Sequence, residues 1–224
     1  MSKSELKKSV DKLINTTMKT KIDYRRNVED SVYEAFIFSL ILKAFSRIGG
    51  KVYLRSINNT NGKSPTTFLF RGSPGNIHSR TYDFGHAEVH YNEKSYEVHL
   101  GVFHDGTSNV RHEVDVSIIE HSHCKNCRVN LINPKAQYTK SIFECKYYST
   151  HLGTALIRTF VGLKDDMGSL HISRFLANKE AENISKYCSG KDNRPRFNGG
   201  LLPKSQEEEL FVHALMDDLK KWLG

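Results

Sequence analysis

No run of apolar residues in this sequence is long enough to cross a bilayer, which takes roughly 20. The most apolar stretch, AFIFSLILKAF at 35–45, is shorter than that and is interrupted by Lys43. It predicts a buried helix and no membrane contact. The opening MSKSELKKSV is charged, with no apolar segment behind it of the kind a secretory signal needs. Cysteine is scarce: Cys124, Cys127, Cys145 and Cys188 form no disulfide framework, so a reducing, cytoplasmic compartment is expected. There is no G-x-S-x-G, which removes a serine nucleophile elbow, and no G-x-x-x-x-G-K-[ST], which removes a P-loop NTPase. Acid is in deficit. Thirty-three Lys and Arg face 25 Asp and Glu, for a net charge of +8, which suits a polyanionic partner such as nucleic acid. A hydrophobic content of 38% excludes a disordered chain.

What is present reads as an α/β chain. Residues 1–27 form a basic N-terminal arm, or an amphipathic helix with Leu6, Val10, Leu13 and Ile14 on one side; residues 28–224 form a single domain. The segment from Asn27 to Gly50 predicts a helix capped by Asn27, with Glu29 and Asp30 in its first turn and Gly49-Gly50 ending it. A strand at KVYLRSIN is followed by a Gly/Pro/Ser/Asn-rich loop with one short strand at TTFLF. HAEVHYN, SYEVHLGVFH and RHEVDVSIIE predict an antiparallel meander with turns at Glu93-Lys94 and DGTSN. Residues 121–139 read as a connection. Then come a strand at SIFECKYYS, a helix at 152–168, a strand at SLHISRFLA and a helix at NKEAENISKYC. The last is an amphipathic helix capped by Ser205, with Glu208 in the capping-box position. The order predicts a mixed β-sheet with helices packed on it.

Two segments carry the chemistry. In RHEVDVSII the period of two puts Glu113, Asp115 and Ser117 on one face and Val114, Val116 and Ile118 on the other. In SIFECKYYS the same period puts Glu144 and Lys146 together inside an apolar strand. If these strands are neighbours, three charged groups converge on one rim. Carboxylate oxygens are the ligands Mg²⁺ prefers, and a nearby lysine can orient a water or stabilise developing negative charge. The carbonyl of Cys145, between the two charged residues, offers one more hard ligand. An E-x-K triplet arises by chance roughly once in a chain of this size, and a cross-strand ion pair is the plainer explanation. The acid on the preceding meander strand and the helix just after favour the catalytic one.

Asp115 in HEVDVSII, Glu144-Cys145-Lys146 in IFECKYY and the following helix LGTALIRTFVG together resemble the PD-(D/E)xK nuclease superfamily, with its restriction-endonuclease-like fold. The resemblance covers roughly residues 29–178. It implies a Mg²⁺-dependent endonuclease acting on DNA, with Mn²⁺ able to substitute, in a setting such as restriction or antiphage defence. By the same likeness Asp115 and Glu144 bind metal, Lys146 is the catalytic lysine, and Glu34, or else Glu29, assists from the first helix. A homodimer would cut both strands, and a regulatory partner protein would supply control. Valine, not proline, precedes Asp115, and the 121–139 connection is longer than a hairpin needs. The alternative is a catalytically inactive nucleic-acid-binding or assembly module of the same fold. RNA or a junction is the further alternative substrate.

HSHCKNC at 121–127 offers His121, His123, Cys124 and Cys127 to zinc, but without the second cysteine pair of a zinc ribbon it reads as a loop. His86, His90 and His99 read as half-exposed strand residues. Tyr148 is either near the active face or a core aromatic. KDNRPRF at 191–197 and RSINNTNGK at 55–63 read as basic loops, able to contact phosphates or simply solvated.

Overall fold

The computed structural model describes residues 3–15, 20–25, 29–58 and 62–224. The expected cap Asn27, residues 59–61 of the 55–63 loop and the side chain of Leu13 lie outside what it describes.

The apolar run at 35–45 lies within α2, Glu29–Arg47. Every residue from Ser31 to Phe45 is buried except Glu34 and Lys43, which are partly so. A helix this apolar must be covered on all sides. Lys43 pairs with Glu208 and Glu209, at 3.1 and 2.5 Å, on the C-terminal helix α6 (Gln206–Leu223). Gly49, at φ +92°, ends α2 in a conformation that side chains with a Cβ resist. α1, Lys3–Asn15, is the amphipathic helix, and its Leu6, Val10 and Ile14 belong to the main core with α2 and α6. Each fully buried Phe or Leu in this core contributes about 1.5–3 kcal/mol.

The main sheet has seven strands in the order β2-β4-β5-β6-β7-β8-β9. β2 (Lys51–Ser56), β4 (Gly85–Tyr91), β5 (Lys94–Asp105), β6 (Arg111–Glu120) and β7 (Thr139–Lys146) pair antiparallel, so the meander forms as expected. β8 (Ile172–Ala177) and β9 (Arg196–Asn198) then add in parallel, through α4 (Thr154–Asp166) and α5 (Glu182–Ser189). This is a mixed α/β architecture, with helices flanking a mixed sheet. On β7, Phe143 and Cys145 join the main core, and Ile142 joins a second cluster with Ile157 and Phe160 of α4 and Phe175 of β8. No helix among the described residues is long and apolar enough to cross a membrane.

Several details differ from the sequence reading. The β4–β5 ladder closes at Tyr91↔Lys94, so the turn is Asn92-Glu93, with Asn92 at φ +52°, a conformation asparagine tolerates. The 121–139 connection is not a loop: it holds α3, His121–Asn130, packed on β5 and β6. The 191–197 segment contains most of β9, an edge strand joined to β8 by the pair Arg174↔Arg196. A short strand β1, Lys21–Tyr24, pairs in parallel with β3, Thr67–Phe70, in a separate two-stranded sheet. Finally, Ser117 does not lie on an open polar face. It is fully buried, its hydroxyl 3.1 Å from His104 Nε2.

Candidate active site

The β6–β7 ladder runs from Ile119↔Thr139 to Val116↔Phe143 and stops one residue short of Asp115 and Glu144. The Cys145 amide, having lost its ladder carbonyl, donates instead to Asp115 Oδ2 at 2.8 Å. On the other side of β7, Lys146 O accepts from the Asn178 amide. Successive carbonyls of a strand alternate in direction, so the Cys145 carbonyl is turned toward the opening beside Asp115. Asp115 stands at a second irregularity as well. The β5–β6 ladder pairs Leu100↔Val116 and Val102↔Val114 but skips Gly101, which has φ +58° and whose carbonyl accepts from the Gly75 amide. Val114 packs in the second core cluster while Val116 and Ile118 pack in the first, so the regular alternation expected of β6 lapses at this point.

Lys146 fills the opening. Its Nζ lies 2.6 Å from Glu144 Oε1 and 3.5 Å from Asp115 Oδ2. The three residues singled out from the sequence therefore meet. Glu34 joins them from α2: burial and then the Asp115 charge push its carboxyl up to about 9, against the pull of Lys146. Burial and Asp115 likewise push Glu144 up to about 7, outweighing the ammonium it touches. For Lys146, burial disfavours the charge, but Asp115 and Glu144 outweigh it and hold the ammonium well above its usual value. Burial and Asp115 raise Glu113 too, and Asp30 is raised chiefly by burial. Asp30 lies one helical turn before Glu34 and was not picked out from the sequence, although the i, i+4 spacing puts both on one face of α2. Glu29, the alternative to Glu34, adds to the upward shifts of Asp30 and Tyr147, behind burial in each case.

Five carboxyl groups thus share one ammonium, and two of them, Glu34 and Glu144, are pushed up by burial first and by the Asp115 charge second. Oxygen donors with surplus negative charge are what a hard divalent cation requires. The set is not a tight cage. Among the described residues, three metal-ligating side-chain atoms come within 4.8 Å of one another only at His86, Glu97 and His99. Mg²⁺ commonly uses one or two carboxylates and keeps its waters, so Asp115, Glu144 and the Cys145 carbonyl suit it.

The other candidates fall elsewhere. His86 and His99 are not half-exposed but buried on the face of β4 and β5 that α3 covers. Cys124 and Cys127 are buried with Ile77, Val102 and Ile119, while the His123 ring stacks on Tyr138 at 3.9 Å and its Nε2 accepts the Lys135 amide. His121 turns instead to Glu97, at 2.7 Å, so the four residues of HSHCKNC do not converge as a zinc site. Tyr148 packs, partly buried, against the second core cluster, its backbone held at both ends by the Asn178 amide group. The arginines of the basic loops are engaged within the fold: Arg55 with Glu88, Arg196 with Asp218, and Arg194 over the Tyr187 ring. Comparison with protein-family models, with curated proteins and with solved structures finds no match to this chain.

Proposed function

We propose that this protein is a metal-dependent phosphodiester hydrolase acting on DNA, with its sheet arranged in the restriction-endonuclease-like manner. The observation that carries this reading is the meeting of Asp115, Glu144 and Lys146 where the β6–β7 ladder gives out, with Glu34 reaching them from α2. Asp115, Glu144 and the Cys145 carbonyl would hold Mg²⁺ or Mn²⁺. A cation held there supplies a nucleophilic water and offsets charge at phosphorus. Lys146 orients the attacking water or stabilises negative charge on the phosphate oxygens as it develops. Glu34, protonated near neutral pH in the metal-free protein, can hold or release a proton beside them. The net charge of +8 draws the polyanionic backbone in, with an affinity that falls as salt rises.

The second reading, a binding or assembly module without catalysis, draws on the same ammonium, since Lys146 partly neutralises both strand carboxylates with no ion at all. Incubation with supercoiled plasmid, with Mg²⁺ or with chelator, separates the two. Cleavage that needs the metal and disappears in Lys146→Ala supports the hydrolase. Salt-dependent DNA binding with no cleavage of plasmid, RNA or junction substrates supports the module.

A further inference from the structure

Glu97, on β5, has no exposed surface, and it lies away from the acidic opening. His99, two residues on along the same strand, brings its Nε2 to 2.7 Å from Glu97 Oε2. His86, on β4, brings its Nε2 to 3.4 Å from the same oxygen. The two imidazoles stack, centroids 4.9 Å apart and planes 12° off parallel. All three ligand atoms lie within 4.8 Å of one another. From α3, Arg128 grips both carboxylate oxygens at 2.7 and 2.6 Å, and His121 Nδ1 reaches Oε1 at 2.7 Å.

His86 is the residue this network does not explain. It is 4% exposed, its Nδ1 has no hydrogen-bond partner among the described residues, and its Nε2 is aimed at Glu97 from beyond a good hydrogen-bond distance. An imidazole buried in that condition destabilises the fold unless something else satisfies it. Its spacing fits coordination: two ligands about 2.0–2.1 Å from one tetrahedral ion stand about 3.4 Å apart.

We propose that His86, Glu97 and His99 bind a divalent transition metal of the zinc class in a closed site that fastens β4 to β5 beneath α3. Imidazole with a single carboxylate suits zinc and does not suit Mg²⁺, which takes oxygen ligands. Arg128 and His121 hold Glu97 from outside, as outer partners orient a ligating carboxylate. Arg128 also repels a second cation, so the affinity falls below that of an unguarded set of the same ligands. The site is independent of the hydrolase reading.

The test is the zinc content of the full chain, purified without chelator and measured by mass spectrometry. It is followed by Co²⁺ titration of the stripped protein. About one zinc per chain is expected, unchanged in Asp115→Asn and reduced at least tenfold in His86→Gln. Zinc added back to the stripped protein raises the melting temperature where Mg²⁺ at the same concentration does not. The proposal is overturned by purified protein that lacks zinc and gives no visible cobalt spectrum, or by a His86→Gln chain that retains wild-type zinc. If circular dichroism shows that variant unfolded, the wild-type cobalt spectrum decides. Intense four-coordinate bands sustain the site, and weak octahedral bands remove it.

Discussion

Asp115 Oδ2 accepts the Cys145 amide at 2.8 Å, taking the place of the strand carbonyl that the interrupted ladder no longer supplies. One carboxylate therefore holds β7 in position and contributes charge to the opening. Asp115→Asn separates the two roles, because a side-chain carbonyl can accept the same amide. The variant is expected to unfold within about 1 kcal/mol of wild type, since the hydrogen bond survives and like-charge crowding is relieved. Any rise in melting temperature caused by Mg²⁺ should vanish with the charge. Thermal denaturation with and without Mg²⁺ measures both.

Lys146 lies between Glu144 and Asp115. Removing the ammonium in Lys146→Ala is expected to lower plasmid cleavage by about 10²–10⁴-fold, the range for a positioned proton-transfer group. The metal should still bind, because the carboxylates remain and lose a competing cation. Cleavage rates and calorimetric Mg²⁺ titration on the same preparation check this. Loss of metal binding together with cleavage would instead assign Lys146 to shaping the site.

Gly101 has φ +58° opposite Asp115, at the pair the β5–β6 ladder skips. A Cβ there would meet nothing closer than 3.6 Å, so space is not the obstacle; the backbone conformation is. Gly101→Ala is expected to cost about 1–2 kcal/mol, the penalty of a left-handed residue with a side chain. Urea unfolding gives the stability loss. The plasmid assay shows whether straightening β5 also displaces Asp115.

His104 is fully buried between Thr139 Oγ1, at 3.0 Å, and Ser117 Oγ, at 3.1 Å, and burial pushes its imidazole down to about 3. An unfolded histidine takes up a proton near pH 6.5, but the folded one does not until far lower pH. Between those values the unfolded state binds the extra proton, so stability falls as pH drops below about 6.5. The slope from this residue is about 1.4 kcal/mol per pH unit. Urea midpoints at pH 7.5, 6.5 and 5.5 should decline accordingly, and more shallowly in His104→Gln.

Arg174 is 1% exposed on β8 and donates to Asp218 of α6 at 2.7 Å and to Asn198 of β9 at 2.8 Å. It joins the late strands to the C-terminal helix. Arg174→Ala leaves Asp218, among the described residues, with the exposed Arg196 as its one ion-pair partner and is expected to cost about 3–5 kcal/mol, as for a broken buried pair. Chemical denaturation measures the loss.

Local pattern made much of this architecture legible in advance. The apolar stretch of α2, the strands of the meander, and the Ser205 cap, whose hydroxyl accepts the Glu208 amide, are written in short segments and formed where they were read, although the alternation of β6 lapses at Val114. Asp115, Glu144 and Lys146 could be selected because charges inside apolar strands stand out at a period of two. Other features left no such mark. HSHCKNCRVN has no helical stripe and becomes α3 by packing on β5 and β6; β9 has three residues, too few for a pattern. His86 and His99 alternate as half-exposed strand residues would, and only the placing of α3 over them makes their face an interior.

The sequence by itself determined which faces are apolar and which carry charge, because side-chain direction follows backbone period. Only the tertiary structure decided that the β6–β7 ladder stops beside Asp115, that Asp30 and Glu34 look onto the same opening, and that a polar face of β4 and β5 is sealed. Those outcomes depend on what packs against each element, and residues distant in the chain settle it.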